Sequence, residues 1–184
     1  MTLIEDTRII ALLHQNDETR KEAFHEIVRH FSQPLYWQIR HMVLSHEDAN
    51  YLLQDVFVKA WLNVGSFRGN SKISSWLYKI AVNEIITFLN RRNGNVTASI
   101  DDSGLNMAEL FHSDELYNGD QAETLLQKAI LSLPQKQRLV FNMRYFEKIK
   151  YEDMSEILVT SVGALKSSYH LARKKIEEYL NTID

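Results

Sequence analysis

Apolar residues recur along most of this chain at spacings of three and four, and nowhere does a sustained apolar/polar alternation appear. That period belongs to helices with one buried face, not to half-buried strands. Only two prolines, Pro34 and Pro134, and six glycines interrupt it. The chain is therefore expected to be all-α. Phe24, Ile27, Val28 and Phe31 form one stripe. Pro34 suits the first position of a following helix that carries Leu35, Ile39 and Met42.

The stretch from Asn93 to Asp120 changes character. It contains Asn-Gly, Asp-Asp and Ser-Gly, few aromatics and charge of one sign, which are turn and linker signals. Two small helical domains follow from this boundary, residues 1–92 and 121–184, joined by a flexible acidic linker over residues 93–120.

Net charge is −3, which by itself argues against a nucleic-acid ligand, but the charges are segregated. Residues 157–176 hold four basic residues and no acid, whereas 93–127 hold seven acids and no Lys or Arg. Affinity for DNA depends on where positive charge sits. Solvated faces on ordinary helices account for the same segregation equally well.

Absence of cysteine removes disulfides, thiolate metal sites and a cysteine nucleophile, and fits a reducing cytosol. The start, Met1 to Asp6, lacks a basic segment followed by an apolar one, so no signal peptide is expected. The longest run without Asp, Glu, Lys or Arg is ten residues, His30 to Ile39, far short of the ~20 a membrane span needs. A cytoplasmic protein without membrane contact of its own is the expectation. HExxH, a glycine-rich phosphate loop and a Ser/His/Asp cluster are all missing, and the histidine pairs His25/His30 and His41/His46 sit five apart, a poor spacing for a shared metal. No catalytic residue, metal or cofactor is expected.

In the C-terminal part, Met154, Ile157 and Leu158 make a short apolar face, and Val159-Thr160-Ser161 breaks it. Ser161 is a good N-cap for a second helix. Val162, Leu165, Tyr169, Ala172, Ile176 and Tyr179 then repeat at 3-4-3-4-3 spacing as its buried side, leaving Gly163, Ala164, Lys166, Ser167, His170 and Lys174 on the free side. A short helix, a turn and a long helix with a basic free face describe a helix-turn-helix. Small residues at the start of the second helix would let it enter a major groove, where its free N–H groups favour phosphate. Any helical hairpin with a solvated lysine face has the same pattern.

Upstream, Asp48 to Leu62 carries a core stripe of Leu52, Leu53, Val56, Phe57, Ala60 and Trp61. Its opposite face shows Tyr51, Asp55, Val58 and Leu62, with Gln54 beside them. Apolar residues around one acid on an outward face suggest a docking surface; a helix buried on both sides is the competing reading. After a turn at Gly69-Asn70-Ser71, the next helix aligns Lys72, Lys79, Asn83 and Thr87 on one polar face, with Trp76 at its edge. Cations and amides beside aromatics suit single-stranded DNA, although Trp76 itself is better placed in the core.

These stretches together resemble a known family. Asp48-Ala-Asn-Tyr-Leu-Leu-Gln-Asp-Val-Phe-Val-Lys-Ala-Trp61 is similar to region 2.2 of sigma-70-type RNA polymerase sigma factors. Ser66-Phe-Arg-Gly-Asn-Ser71 followed by Trp76-Leu-Tyr-Lys-Ile-Ala-Val-Asn83 resembles regions 2.3 and 2.4 of the extracytoplasmic-function (ECF) group. Leu133-Pro134, Arg138 and Arg144-Tyr-Phe-Glu147, with the helix-turn-helix, resemble region 4. The resemblance implies that Gln54, Asp55, Val58 and Trp61 dock on the clamp helices of the polymerase β′ subunit. It implies that Phe67, Asn70, Ser71 and Lys72 capture a flipped base of the promoter −10 element, with Lys79 and Asn83 on the helix that holds it. It places Ser161, Gly163, Ala164, Lys166, Ser167, His170 and Lys174 at the −35 element, and the C-terminal domain at the β flap. An anti-sigma factor is an implied partner. A stand-alone helix-turn-helix regulator acting without core polymerase is the rival function. Three departures from the family pattern bear on the −35 contacts: Val159 where a small residue is usual in the turn, and Ser168 and Leu171 where Arg is common. Tyr51 also replaces a common acid.

Overall fold

A computed structural model describes residues 3–43, 45–92 and 121–182. The stretch expected to be a flexible acidic linker, 93–120, lies outside them. Every regular element among the described residues is helical. The N-terminal group comprises α1 (Leu3–Leu13), α2 (Asp17–Val43), α3 (His46–Asn63), a 3-10 turn (Val64–Ser66) and α4 (Ile73–Arg92). The C-terminal group comprises α5 (Gln121–Leu131), α6 (Gln135–Tyr145), α7 (Tyr151–Leu158) and α8 (Val162–Asn181).

Pro34 does not open a helix. It lies inside α2, which runs through it without a break. Proline removes one backbone hydrogen bond and crowds the preceding turn. Here Ile27, Phe31, Leu35, Ile39 and Met42 form a single buried stripe across it, and burying five large side chains outweighs a loss of ~3 kcal/mol. Asn16 starts α2: its Oδ1 accepts from the N–H groups of Glu18 and Thr19 at 3.0 and 2.9 Å. Ser45 starts α3 in the same way, accepting from Asp48 N–H at 3.2 Å.

α1, α3 and α4 pack on α2, and α3 also packs on α4. Ion pairs Lys59–Glu84 (2.5 Å) and Arg92–Asp48 (3.2 Å) tie α3 to α4 at its two ends. In the C-terminal group, α8 lies against α5, α6 and α7. Ala129, Ile130, Leu133, Phe141, Ala172 and Ile176 form its own small core.

The two groups meet. α7 packs on α4, and α6 on the end of α2. The main apolar core runs through the seam, taking in Leu139, Val140, Met143, Met154, Ile157 and Leu165 together with the N-terminal helices. Asn142 Nδ2 donates to the carbonyl of His41 at 3.2 Å, one of the last-turn carbonyls that a helix end leaves without an internal partner. The His41 ring stacks on Phe146 at 4.1 Å between centroids. The Tyr78 hydroxyl donates to the Glu147 carboxyl, and Lys72 pairs with Asp153 at 2.6 Å.

Candidate polymerase and promoter interface

α3 is not buried on both sides. Tyr51, Val58 and Leu62 are 61%, 56% and 74% exposed, with Gln54 exposed and Asp55 half-buried beside them. The helix turns Leu52, Val56 and Ala60 into the core and leaves this apolar face bare. Trp61 lies between the two faces, more than a third exposed, with its ring edge-on to Phe24 at 5.1 Å. An aromatic anchored on one side and open on the other is a typical contact residue.

The loop between α3 and α4 places the second set. Phe67 is only 7% exposed and its ring stacks on Trp76 at 4.6 Å, so Trp76 packs at the core margin and Phe67 contributes to the loop's floor. Asn70 and Lys72 are exposed and Ser71 half-buried. Gly69 has φ +75, a backbone setting that glycine adopts at little cost. Lys79 and Asn83 lie exposed one turn apart on α4. Lys72 is engaged across the seam: the hydrogen bond to Asp153 raises its pKa further, so it is a cation throughout the working pH range.

The loop is also held from a direction that the motifs do not reveal. Asp6 Oδ2 accepts from the N–H of Ile73, the first residue of α4, at 3.3 Å. His14 Nε2 donates to the carbonyl of Phe67 at 2.7 Å. Ile10 lies against Gly69, where an added Cβ would come within 3.1 Å of its Cδ1. The only sequence signal for this role is the helical spacing of Ile9, Ile10 and Leu13.

In the C-terminal group, Ser161 caps α8 as its type suggests, its Oγ accepting from Ala164 N–H at 3.3 Å. Leu165, Ala172 and Ile176 are buried. Gly163, Ala164, Lys166, Ser167, His170 and Lys174 are all exposed on one side. Lys174 reaches Glu178 at 3.7 Å and Arg173 reaches Glu177 at 3.0 Å, exposed pairs that dissolve readily in favour of phosphate. The Lys166 ammonium lies over the Tyr151 ring at 5.8 Å from its centroid. Val159, in the turn, has φ 50 and ψ 46. It adopts the left-handed conformation that a small residue would take more easily.

Three sites thus stand on separate helices, none with the clustered acids, bases or ligands of a catalytic centre. Among the described residues no group of three His, Cys, Asp or Glu side chains is placed to hold a metal. No helix among them is long and apolar enough to cross a membrane.

Comparison with known proteins agrees with this layout. Residues 27–94 match the sigma-70 region 2 family, and residues 123–176 the sigma-70 region 4 family. RNA polymerase sigma-H factor of Pseudomonas aeruginosa is 27% identical over 193 aligned positions, covering 100% of this chain and 97% of that one. ECF RNA polymerase sigma factor SigW of Bacillus subtilis is 28% identical, covering 89% and 91%. Among solved structures, that of CnrH in complex with the cytosolic domain of CnrY superposes with a TM-score of 0.73 at 19% identity, over 98% of this chain and 99% of the other. Sigma factor RpoE in its complex with the anti-sigma factor NepR from Bartonella quintana superposes with a TM-score of 0.66 at 23% identity, over 86% and 96%. With both conserved regions present in order, on helices that leave the α3 and α8 faces exposed, the chain belongs to the sigma-70 family of RNA polymerase sigma factors, in the extracytoplasmic-function group: it serves transcription initiation and is not an enzyme.

Proposed function

We propose that this sigma factor divides its work among the three sites. Gln54, Asp55, Val58 and Trp61 dock α3 on the β′ clamp helices of core polymerase. Asn70, Ser71 and Lys72, over the floor made by Phe67, hold a base flipped out of the −10 element, and Lys79 and Asn83 hold the opened strand. The α8 face from Ser161 to Lys174 enters the major groove of the −35 element, while the C-terminal domain meets the β flap. Residues 93–120 connect the two domains, and the protein works in the cytoplasm under an anti-sigma factor. The observation that carries this reading is the bare apolar face of α3, half a turn from a buried stripe. An exposed apolar face of this kind marks a protein-contact surface, and a polymerase subunit needs one.

Division of labour fits the energetics. Opening several base pairs costs several kcal/mol, and two modest DNA contacts joined through one polymerase act at high effective concentration. The test is transcription from linear DNA by core enzyme with and without the chain. Asp55→Arg is expected to abolish capture of core enzyme while leaving the thermal midpoint unchanged, because Asp55 lies on the exposed side of α3. Capture of core enzyme by the Asp55→Arg variant at wild-type strength would refute the assignment of α3.

A further inference from the structure

We propose that α1 is a positioning element for the promoter-melting loop, with Asp6, Ile10 and His14 presetting residues 67–73 in the shape that receives an unstacked base. The proposal rests on the reading of that loop as the −10 site. The three α1-side residues lie outside the matched region 2, which begins at residue 27.

The three residues are spaced four apart, so they line one side of α1 and its C-terminal end. Each meets a different point of the loop by a different interaction. His14 donates to the Phe67 carbonyl at its start. Ile10 packs on Gly69 at its middle. Asp6 accepts from the Ile73 amide at its end, where a carboxylate also suits the positive end of the α4 dipole. α1 is itself fixed. Ile9 and Leu13 are fully buried, and Arg8 pairs with Glu26 of α2 at 2.6 Å. Thr19 and Arg20 satisfy the carbonyls of Leu12 and Leu13. A loop without such support would have to become ordered at the moment of base capture, and that ordering weakens binding. A loop pinned at both ends and in the middle avoids most of it.

The experiment uses holoenzyme made from core polymerase and the full chain, on the duplex template that the wild-type enzyme transcribes best from a randomised pool. Asp6→Ala and His14→Ala are expected to slow promoter opening by about three- to tenfold, the effect of losing one hydrogen bond. Initial closed-complex binding should stay unchanged. Asp6→Asn, which keeps an acceptor oxygen, and His14→Gln, which keeps a donor nitrogen near the same place, should restore most of the rate. In the free chain, hydrogen exchange at the Ile73 amide should rise in Asp6→Ala and return in Asp6→Asn. Wild-type opening rates in both alanine variants would overturn the proposal. So would a loss that the conservative variants fail to rescue and that follows a lowered thermal midpoint, since that marks a purely structural role. If wild-type holoenzyme opens no template, the −10 reading itself fails and takes the proposal with it, while the exchange data still report whether α1 orders the loop.

Discussion

The seam between the two helical groups contains two titratable side chains with opposite pH responses. Burial pushes the Glu147 carboxyl from an ordinary 4.5 to about 7, against the opposing effect of the Tyr78 hydroxyl that donates to it. Burial, reinforced by the neighbouring Arg40 guanidinium, lowers His41 from 6.5 to about 4. The Nδ1 of His41 is buried without a hydrogen-bond partner, so nothing there favours the charged ring. Between pH 4.5 and 7 the folded protein holds a proton on Glu147 that the unfolded chain has released, so rising pH removes stability. Between pH 6.5 and 4 the unfolded chain takes up a proton at His41 that the folded protein refuses, so falling pH removes stability. The windows overlap from 4.5 to 6.5, and there the two slopes oppose one another.

At about 1.4 kcal/mol per pH unit each displacement has a ceiling near 3 kcal/mol, and residual solvent contact brings it to about 2 kcal/mol. Glu147→Gln keeps an acceptor for the Tyr78 hydroxyl and removes the titration. It should leave stability unchanged at pH 4.5 and raise it by about 2 kcal/mol at pH 8. The variant alone should then lose about 2 kcal/mol on acidification from pH 6.5 to 4.5, because His41 is no longer opposed. His41→Phe preserves a ring against Phe146 and should show the reverse, a loss as pH rises from 4.5 to 7. Urea unfolding followed by tryptophan fluorescence, at half-unit steps from pH 4.5 to 8.5, measures both. Differences between variant and wild type cancel the other carboxylates and histidines. A Glu147→Gln protein no more stable than wild type at pH 8 would refute the burial argument.

Other expectations concern single positions. Val159, 78% exposed with φ 50, carries a β-branched side chain in the left-handed region. Val159→Gly should raise stability by about 0.5–1 kcal/mol, the relief of that conformation less the greater freedom of glycine in the unfolded chain, seen as a higher thermal midpoint. Asn142→Ala removes the donor to the His41 carbonyl at the end of α2 and should cost about 1–2 kcal/mol in urea unfolding. Lys166→Ala and Lys174→Ala should each weaken binding of the C-terminal face to duplex DNA and lower the slope of log affinity against log salt by about 1 in a salt titration.

Most of the helices are legible in the sequence because each buries a stripe at helical spacing. The core positions Leu52, Val56, Leu165, Ala172 and Ile176 and the cap at Ser161 follow from period and residue type alone. Pro34 was misleading for a physical reason. Its local cost argues for a boundary, but five buried side chains on one stripe, from Ile27 to Met42, keep the helix whole. The bare face of α3 could be read as a pattern, yet only the packing distinguishes an exposed Val58 from a buried one. Contacts between residues far apart in sequence left no local signal. Nothing near Asp6, His14, Glu147 or Asp153 points to a partner, because each pairs with a residue brought close by the fold.

Those long-range pairs converge on one place. The start of α4 receives Asp6 from α1 on the Ile73 amide and gives Lys72 to Asp153 of α7. One contact comes from the N-terminal group and the other from the C-terminal group, on adjacent residues. They differ in kind. Asp6 meets the backbone, so it shapes the loop without occupying any side chain that DNA needs. Asp153 occupies the Lys72 ammonium, the group that a phosphate would take. The pair is partly exposed, and an exposed ion pair is worth at most about 1 kcal/mol, less than a desolvated phosphate contact in the presence of polymerase. The α3 face and the α8 face remain exposed in this same arrangement. Contact of Lys72 with a melted strand therefore requires that Asp153 let go.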